Sequence, residues 1–372
     1  RPYQLSGFQW LLFLNEAGWG GILADDMGLG KTVQTLSFLQ HYKNTNATSK
    51  YLVVCPTTLM YNWENEIKKF TPNLSLFIHH GSKRNFNIEK LKDIDIIITT
   101  YGTMRSDIIH LKEIEFDYII LDESQAIKNP QSQIAKASLL LNAKNRLALS
   151  GTPVQNNTFD LYSQMNFLNP GMLGSREFFL NEFATPIDKF QEDEAKLQLR
   201  KLIYPFLLRR TKEQVAKDLP DKTETILWCE MGKDQRKIYE SYRNTYKEEL
   251  LEVIEERGIE RSQMHILQGL TKLRQICDSP AILNEKEKYP NHSIKLDELA
   301  RQLKEDISNH KALVFSQFLG MLALIRTKLE ELEIPYVYFD GSTTAPEREK
   351  AIQQFQQQDK IRVFLISLKA GG

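Results

Sequence analysis

A chain of 372 residues is long enough for two or three domains, each with its own hydrophobic core. Its 48 basic and 48 acidic side chains give a formal net charge of zero, so contact with a polyanion would require local basic patches rather than a global field. The three cysteines, Cys55, Cys229 and Cys277, lie far apart and lack metal-ligand spacing. This excludes a cysteine-based metal site and is typical of reduced thiols.

Residues 1–153 alternate short apolar runs with amphipathic helical patterns. The runs, rich in β-branched residues, are 21–24, 51–56, 95–101, 118–123 and 146–151. Strands that are apolar along their whole length predict a parallel sheet covered on both faces. Ligands bind at the carboxyl ends of such strands. We therefore expect the polar turns that follow these runs to form a single site.

The turn after the first run has the composition of a phosphate-binding loop. Its residues are Asp26, Met27, Gly28, Leu29, Gly30, Lys31 and Thr32. Glycines allow backbone N–H groups to close around phosphate oxygens, and the N-terminus of the following helix adds partial positive charge. Lys31 is predicted to reach the β- and γ-phosphates and Thr32 to hold Mg²⁺. Asp25 stands where the first glycine of this motif is usual.

A second buried strand ends in two adjacent carboxylates, Asp122 and Glu123. Asp122 is predicted to be a second Mg²⁺ group, and Glu123 to polarise the attacking water. The alternative is a chance Gly-Lys-Thr turn beside a buried acidic pair, which the two motif contexts together disfavour. The pair of motifs predicts an ATP-driven protein.

The second half of the chain changes character. Residues 154–222 are predicted to be helical with no strand between the helices, and helices continue through 233–310 as a charged, solvated protrusion. Alternating apolar runs return at 311–318, 334–341 and 361–368, which predicts the start of a second α/β lobe. The chain begins without methionine and stops at Gly372 within a motif, so we expect it to be a piece of a longer protein.

A set of motifs extends over essentially the whole chain. In order they are RPYQLSGFQWL, ADDMGLGKT, DES followed by Gln125, ALSGTPVQNN, FLLRRTK, ALVFSQF, FDGSTT and SLKAGG. This series closely resembles the Swi/Snf-type DNA translocase family of superfamily-two helicases. SGTPVQNN and LLRRTK are the most specific motifs, because they flank a helical insert that ordinary helicases of that superfamily lack.

The resemblance implies an α/β fold with three parts. These are a RecA-like ATP-binding lobe at 1–153, a helical protrusion and approach to a linker at 154–222, and a truncated second RecA-like lobe at 223–372 with a helical insertion at about 233–292. It also implies an enzyme that hydrolyses ATP with Mg²⁺ and translocates on double-stranded DNA independently of sequence, remodelling protein–DNA complexes without separating the strands.

The resemblance assigns further roles around the nucleotide. Gln4 would bond the adenine edge while Tyr3 packs against the base; the alternative for Gln4 is a solvated residue at a helix start. Gln125 stands where the family often has histidine, and its amide could bond a phosphate or Thr152. Ser150, Gly151 and Thr152 match the segment that couples the site to movement.

The implied DNA contacts follow strands in both lobes. They are Thr57, Thr58, Thr100 and Tyr101 in the first lobe, and Ser316, Gln317, Gly341, Ser342, Ser367 and Lys369 in the second. Hydroxyl and amide donors suit sequence-independent phosphate tracking, but each residue could equally be a helix cap or turn residue. Trp63 is predicted to belong to the core rather than to a base-stacking platform. Arg209, Arg210 and Lys212 could be solvated, ion-paired, or in contact with DNA or nucleotide.

Three functions remain open from the sequence. The first is the translocase. The second is a nucleotide-gated DNA-binding module with little hydrolysis; it stays open because the arginines that complete the family's ATPase site would follow Gly372. A strand-separating helicase is disfavoured by the helical inserts and by SGTPVQNN. No apolar run reaches the length of a membrane span. We expect an intracellular protein of the cytoplasm or nucleoid, which DESQ and the lack of basic tails favour, or of the nucleus if the source is eukaryotic.

Overall fold

The computed structural model describes residues 1–81, 84, 91, 93–151, 158–218, 220, 222–257, 259–283, 289–305 and 310–368, without the side chains of 252–261 and 345. The chain forms two compact units, Arg1–Asp221 and Lys222–Gly372. The finer division of the first unit at residue 153 stays a prediction. Among the described residues, no helix has both the length and the hydropathy that crossing a membrane requires.

The described part of the first unit is built on a seven-stranded parallel sheet. Its strands are β1 (Gly21–Leu23), β2 (Tyr51–Cys55), β3 (Leu76–His79), β4 (Ile96–Thr100), β5 (Phe116–Asp122), β6 (Ala143–Leu149) and β7 (Leu207–Leu208), in the order β3-β4-β2-β5-β6-β1-β7. Successive residues of β2 enter opposite cores: Val53 packs in one apolar cluster and Val54 in the other. Both faces are therefore covered, as the continuous apolar runs predict.

Helices of the first unit connect and cover these strands. They are α1 (Pro2–Ala17), α2 (Lys31–Thr45), α3 (Met60–Phe70), α4 (Tyr101–Ser106), α5 (Ile108–Leu111), α6 (Gln133–Leu140), α7 (Phe159–Leu168), α8 (Arg176–Phe179), α9 (Thr185–Phe190), α10 (Asp193–Ile203) and α11 (Lys212–Val215). Hydroxyl side chains cap several of them: Thr100 accepts from the Thr103 amide at the start of α4, and Thr211 accepts from Gln214 at the start of α11.

The prediction of helices without a strand over 154–222 is wrong at one place. Leu207 and Leu208 form strand β7, which pairs in parallel with β1, and the Ala24 amide donates to the Leu208 carbonyl at 2.7 Å. Pro205 lies in the short 3₁₀ turn that ends the preceding helix, because proline has no N–H with which to continue it. A strand of two residues is too short to leave a periodic signal in the sequence.

The second unit begins with helices and continues as a smaller parallel sheet. Its elements are α12 (Lys233–Arg257), α13 (Ile259–Asp278), α14 (Ile294–Glu305), β8 (Ala312–Ser316), α15 (Leu319–Glu331), β9 (Tyr336–Phe339), α16 (Ala345–Gln357) and β10 (Val363–Ser367). The strand order is β8-β10-β9, with the buried strand β10 in the middle. The predicted α/β fold with two parallel sheets and a helical insertion is confirmed.

Candidate nucleotide site and nucleic-acid interface

The phosphate loop lies between the end of β1 and the start of α2. Gly28 and Gly30 have φ angles of 84° and 80°, a left-handed conformation that favours glycine. Lys31 is the first residue of α2, and its Nζ donates to the Asp25 carbonyl at 2.7 Å. Thr32 follows in the first turn of the same helix. The loop therefore has the glycine geometry and the helix N-terminus that bind phosphate in other proteins.

Helix α1 brings the two proposed adenine residues to this loop. The Tyr3 hydroxyl donates to the Leu29 carbonyl at 3.1 Å, and Gln4 Nε2 donates to the same carbonyl at 3.4 Å. A Cβ atom at Gly30 would lie 2.6 Å from Gln4 Nε2, so any other residue would displace the end of the Gln4 side chain, and the φ of 80° favours glycine there in any case. The opening motif and the phosphate loop thus form one group of residues.

Asp122 ends strand β5 as a buried carboxylate with defined partners. Its Oδ2 accepts from Trp63 Nε1 at 2.8 Å and its Oδ1 from the Glu123 amide at 3.0 Å. Its backbone carbonyl accepts from the Tyr101 hydroxyl at 2.7 Å. Burial raises the pKa of Asp122 to about 6, with the Trp63 hydrogen bond opposing the rise, the Glu123 charge adding to it and Lys31 opposing it. Trp63 is in the core, as predicted, and it also orients this carboxylate.

Glu123 is held in a strained backbone position and is tied to its neighbours by Gln125. Its φ angle is 52°, in the left-handed region that few residues other than glycine adopt. Gln125 Nε2 donates to Glu123 Oε2 at 2.6 Å, and the Ser150 hydroxyl donates to Gln125 Oε1 at 3.2 Å. Gly151 lies next to the phosphate-loop residue Met27. Of the partners expected for Gln125, a phosphate or Thr152, Thr152 lies outside the described residues, and the Ser150 hydroxyl is a partner that was not expected.

One ion pair of this site has a partner that the sequence did not indicate. Asp25 is fully buried, and the Arg210 guanidinium donates to it, with Nε 2.8 Å from Oδ1. Of the roles left open for Arg210, the structure gives the ion-paired one. The only sequence signal is a carboxylate in place of the first loop glycine, and 185 residues separate the partners.

The proposed DNA residues of the first unit fall into two groups. Thr57 and Thr58 are exposed just after β2. Thr100 and Tyr101 are buried: the Thr100 hydroxyl bonds the Thr103 hydroxyl at 3.0 Å, and the Tyr101 hydroxyl bonds the Asp122 carbonyl. Both hydroxyl groups therefore have partners within the protein, and the expectation that they meet phosphate stays a prediction.

In the second unit, the proposed residues lie at the carboxyl ends of its three strands. Ser316 and Ser367 are register partners in β8 and β10. After β9, Gly341 and Ser342 form an exposed turn in which the Ser342 hydroxyl donates to Asp340 at 2.6 Å. This bond, with others from Tyr338 and Thr343, lowers the pKa of Asp340 to about 2.

The two remaining proposed residues of the second unit are Gln317 and Lys369. Gln317 is exposed and accepts from Arg274 at 2.5 Å. Lys369 lies outside the described residues.

The donor set near the phosphate loop suits a hard cation. Thr32 and Asp122 offer oxygen atoms, which Mg²⁺ prefers. Each Asp122 oxygen accepts one protein hydrogen bond and keeps a further lone pair, so those bonds leave the carboxylate able to bind a cation or its water ligands. The arrangement can therefore hold a magnesium-bound triphosphate with a carboxylate, Glu123, beside it.

Comparison with known proteins gives consistent matches along the chain. Residues 3–282 match the SNF2-related domain and residues 294–372 match the helicase conserved C-terminal domain. The chain is similar to the Sulfolobus solfataricus SWI2/SNF2 ATPase core solved in complex with dsDNA, at 40% identity and a TM-score of 0.58, over 99% of this chain and 77% of that one.

Curated relatives match over all of this chain. YwqA of Bacillus subtilis, whose name describes an ATP-dependent helicase/translocase, is 35% identical over 383 residues, which cover 41% of it. The TATA-binding protein-associated factor MOT1 of Saccharomyces cerevisiae is 32% identical, with 24% of it covered. The ISWI chromatin-remodeling complex ATPase ISW1 of the same yeast is 33% identical, with 34% covered. The chain spans less than half the length of these three relatives.

Proposed function

The chain belongs to the SNF2-related family, and from that premise we propose that it is the ATP-hydrolysing core of a translocase on double-stranded DNA that remodels protein–DNA complexes. The observation that carries the proposal is the linked group of Glu123, Gln125 and Ser150 beside the phosphate loop. A group that joins a catalytic carboxylate to the end of another strand can couple hydrolysis to movement.

In this proposal each residue of the first unit has a distinct task. Lys31 binds the β- and γ-phosphates, while Tyr3 and Gln4 select adenine by packing and by an amide that can both donate and accept. Thr32 and Asp122 would hold Mg²⁺, which supplies charge neutralisation of the phosphates when bound. Glu123 orients the attacking water and polarises it by accepting its hydrogen bond.

Coupling is assigned to Gln125. Its amide N–H group holds the Glu123 carboxylate, and its carbonyl holds the Ser150 hydroxyl at the end of β6. A change of charge near Glu123 would therefore alter the position of the segment that begins at Ser150. The glutamine amide does not titrate near neutral pH, so this link works by position rather than by acid–base proton transfer.

We assign DNA binding to exposed donors that follow strands. Thr57 and Thr58 in the first unit and Gly341 and Ser342 in the second are exposed at turns of this type. Hydroxyl and backbone N–H groups bind phosphate without reading bases. The hydroxyl and the backbone N–H of Ser342 donate to Asp340 in this structure, so they would have to turn from that carboxylate to reach a phosphate. The similar Sulfolobus core bound to dsDNA supports duplex DNA as the partner.

Steady-state ATP turnover, measured with and without duplex DNA, tests the proposal. A translocase is expected to be stimulated by unrelated duplexes to a similar extent, and the stimulation should fall steeply with salt because phosphate contacts dominate. Nucleotide-dependent DNA binding without turnover would favour the alternative, a nucleotide-gated binding module. Unwinding of a partial duplex would favour a strand-separating helicase.

A further inference from the structure

Asp25 places a negative charge within the leading arm of the phosphate loop. Its side chain is fully buried, and its backbone carbonyl is the group that accepts from Lys31 Nζ. An uncompensated carboxylate at this position would repel the phosphates that the loop has to bind. The position of the Asp25 backbone also fixes where the Lys31 ammonium group lies.

Arg210 supplies the compensating charge. Its Nε and backbone N–H both donate to Asp25 Oδ1, at 2.8 and 3.2 Å, and its Nη2 donates to Oδ2. Gln34, from α2, donates to Asp25 Oδ2 at 3.3 Å and accepts from Arg210 at 2.8 Å. The guanidinium also lies over the Tyr3 ring, 5.4 Å from its centroid, and donates to the Tyr3 carbonyl. One arginine thus contacts the loop, the helix that follows it and the proposed adenine residue.

The backbone around Arg210 runs alongside the loop. Beyond the pairing of β7 with β1, the Asp26 amide donates to the Arg210 carbonyl and the Lys212 amide donates to Asp26 Oδ2, each at 3.0 Å. The segment 207–212, which leaves the helical region, is therefore hydrogen-bonded along the leading arm of the phosphate loop.

We propose that the Asp25–Arg210 pair is a positioning device that makes phosphate affinity depend on the docking of segment 207–212 against β1. Arg210 acts through Asp25: it neutralises the buried carboxylate, and by fixing that side chain it keeps in place the residue whose carbonyl accepts from Lys31. Any movement of the helical region that withdraws Arg210 lowers the affinity of the loop for nucleotide. The inference rests on the proposed function only in taking the ligand to be a nucleoside triphosphate.

The test is the dissociation constant for a fluorescent ATP analogue and for ADP. Arg210→Gln leaves a buried, unpaired carboxylate beside the phosphates and is expected to weaken both ligands by at least ~10-fold. Asp25→Asn removes the repelling charge and should change affinity by less than ~3-fold, and the double variant should return to within ~3-fold of wild type. Arg209→Gln, an exposed neighbour, is the matched control and should bind like wild type.

A purely structural role predicts a different pattern. If Asp25→Asn and the double variant lost as much affinity as Arg210→Gln, or if Arg210→Gln bound like Arg209→Gln, the inference would be overturned. Should Arg210→Gln fail to fold, Arg210→Lys keeps the charge but not the forked geometry and should give an intermediate loss; no loss would overturn the inference. A wild-type chain that binds no ATP would refute the proposed function itself.

Discussion

In the first unit, side chains at the carboxyl ends of different strands bond to one another, whereas in the second unit the corresponding side chains bond mainly within their own turns. Gln125, which follows β5, reaches both Glu123 and Ser150 at the end of β6. In the second unit, Ser342 bonds Asp340 two residues earlier, and the Ser316 hydroxyl accepts from the Phe318 amide.

The two sheets differ in the same way. Strands β2 and β4 are buried along their whole length, whereas in β8 the side chains of Leu313 and Phe315 are 54% and 47% exposed. A sheet covered on both faces holds its strand ends rigidly, which a catalytic group requires. Contacts to a repeating phosphate backbone need donors at roughly correct spacing and tolerate local turns. We therefore propose that the chemistry takes place in the first unit and that exposed turns of both units contact the DNA backbone.

The largest expected effect comes from the phosphate loop. Lys31→Ala should lower ATP turnover by at least ~100-fold, because it removes the charge that stabilises the transferring phosphate. Circular dichroism and thermal unfolding should stay close to wild type, since the side chain contributes little packing. Lys68→Ala, at an exposed position on α3, is the matched control. Wild-type turnover in Lys31→Ala would contradict the assignment of ATP hydrolysis to the phosphate loop of the first unit.

The linked group should separate binding from hydrolysis. Glu123→Gln should keep nucleotide affinity and lose turnover by ~10²–10⁴-fold, because an amide cannot act as a base. Gln125→Ala should lower DNA-stimulated turnover by about 10-fold with nucleotide affinity retained, through loss of a hydrogen bond to a charged group. Equilibrium nucleotide titration and steady-state kinetics check both. Equal loss of nucleotide affinity in the two variants would contradict this division of roles.

Asp122, which the proposed site requires, should lower the stability of the folded protein at neutral pH. Burial raises its pKa from 3.8 to about 6, so the folded state keeps a proton that the unfolded state has released. The penalty is absent below about pH 4, grows between pH 4 and 6, and is constant above. Asp122→Asn should therefore stabilise the protein at pH 7.5 by about 1–3 kcal/mol and leave it unchanged near pH 4. Thermal unfolding monitored by tryptophan fluorescence measures this difference.

Asp95→Asn provides the opposite control. Burial alone would raise the pKa of Asp95, but hydrogen bonds from Lys43 and Ser75 outweigh it and lower the pKa. The carboxylate therefore contributes stability above about pH 4, and its loss should destabilise the protein at pH 7.5. If both variants changed the stability at pH 7.5 in the same direction, the burial of Asp122 would not be the cause of the change in Asp122→Asn.

The smallest effects distinguish buried from exposed hydroxyl groups. Thr100→Ala should lower stability by about 1 kcal/mol through loss of the α4 cap. Thr58→Ala should leave stability unchanged and weaken DNA binding a few fold, as the loss of one neutral phosphate contact does. Thermal unfolding and DNA titration at fixed salt check the pair. If Thr100→Ala weakened DNA binding without changing stability, the Thr100 hydroxyl would be a DNA contact rather than a helix cap.

Much of the first unit could be predicted because burial on both faces leaves continuous apolar runs. This applies to β2, β4, β5 and β6, whose ends carry the predicted polar groups. Strand β3 gave no prediction because three of its four residues are only partly buried. The apolar runs of the second unit located its strands, but they did not show which face of each strand is exposed.

The missing parts of the site are contacts between residues distant in sequence. Trp63 and Asp122 are 59 residues apart, and their hydrogen bond depends on how α3 crosses the sheet. For Thr100 the sequence left a helix cap and a DNA contact equally open, and the fold shows that it caps α4. A motif gives the residue types at a site, and the fold decides which of their polar atoms remain available.

The central claim, that ATP hydrolysis in the first unit drives movement along duplex DNA, is tested most directly by ATP turnover on duplexes of increasing length. At saturating ATP, a translocating protein spends more of its time on longer tracks, so turnover should rise with duplex length to a plateau and vanish in Lys31→Ala. Turnover that is independent of duplex length, or equal with single-stranded DNA, would contradict the account.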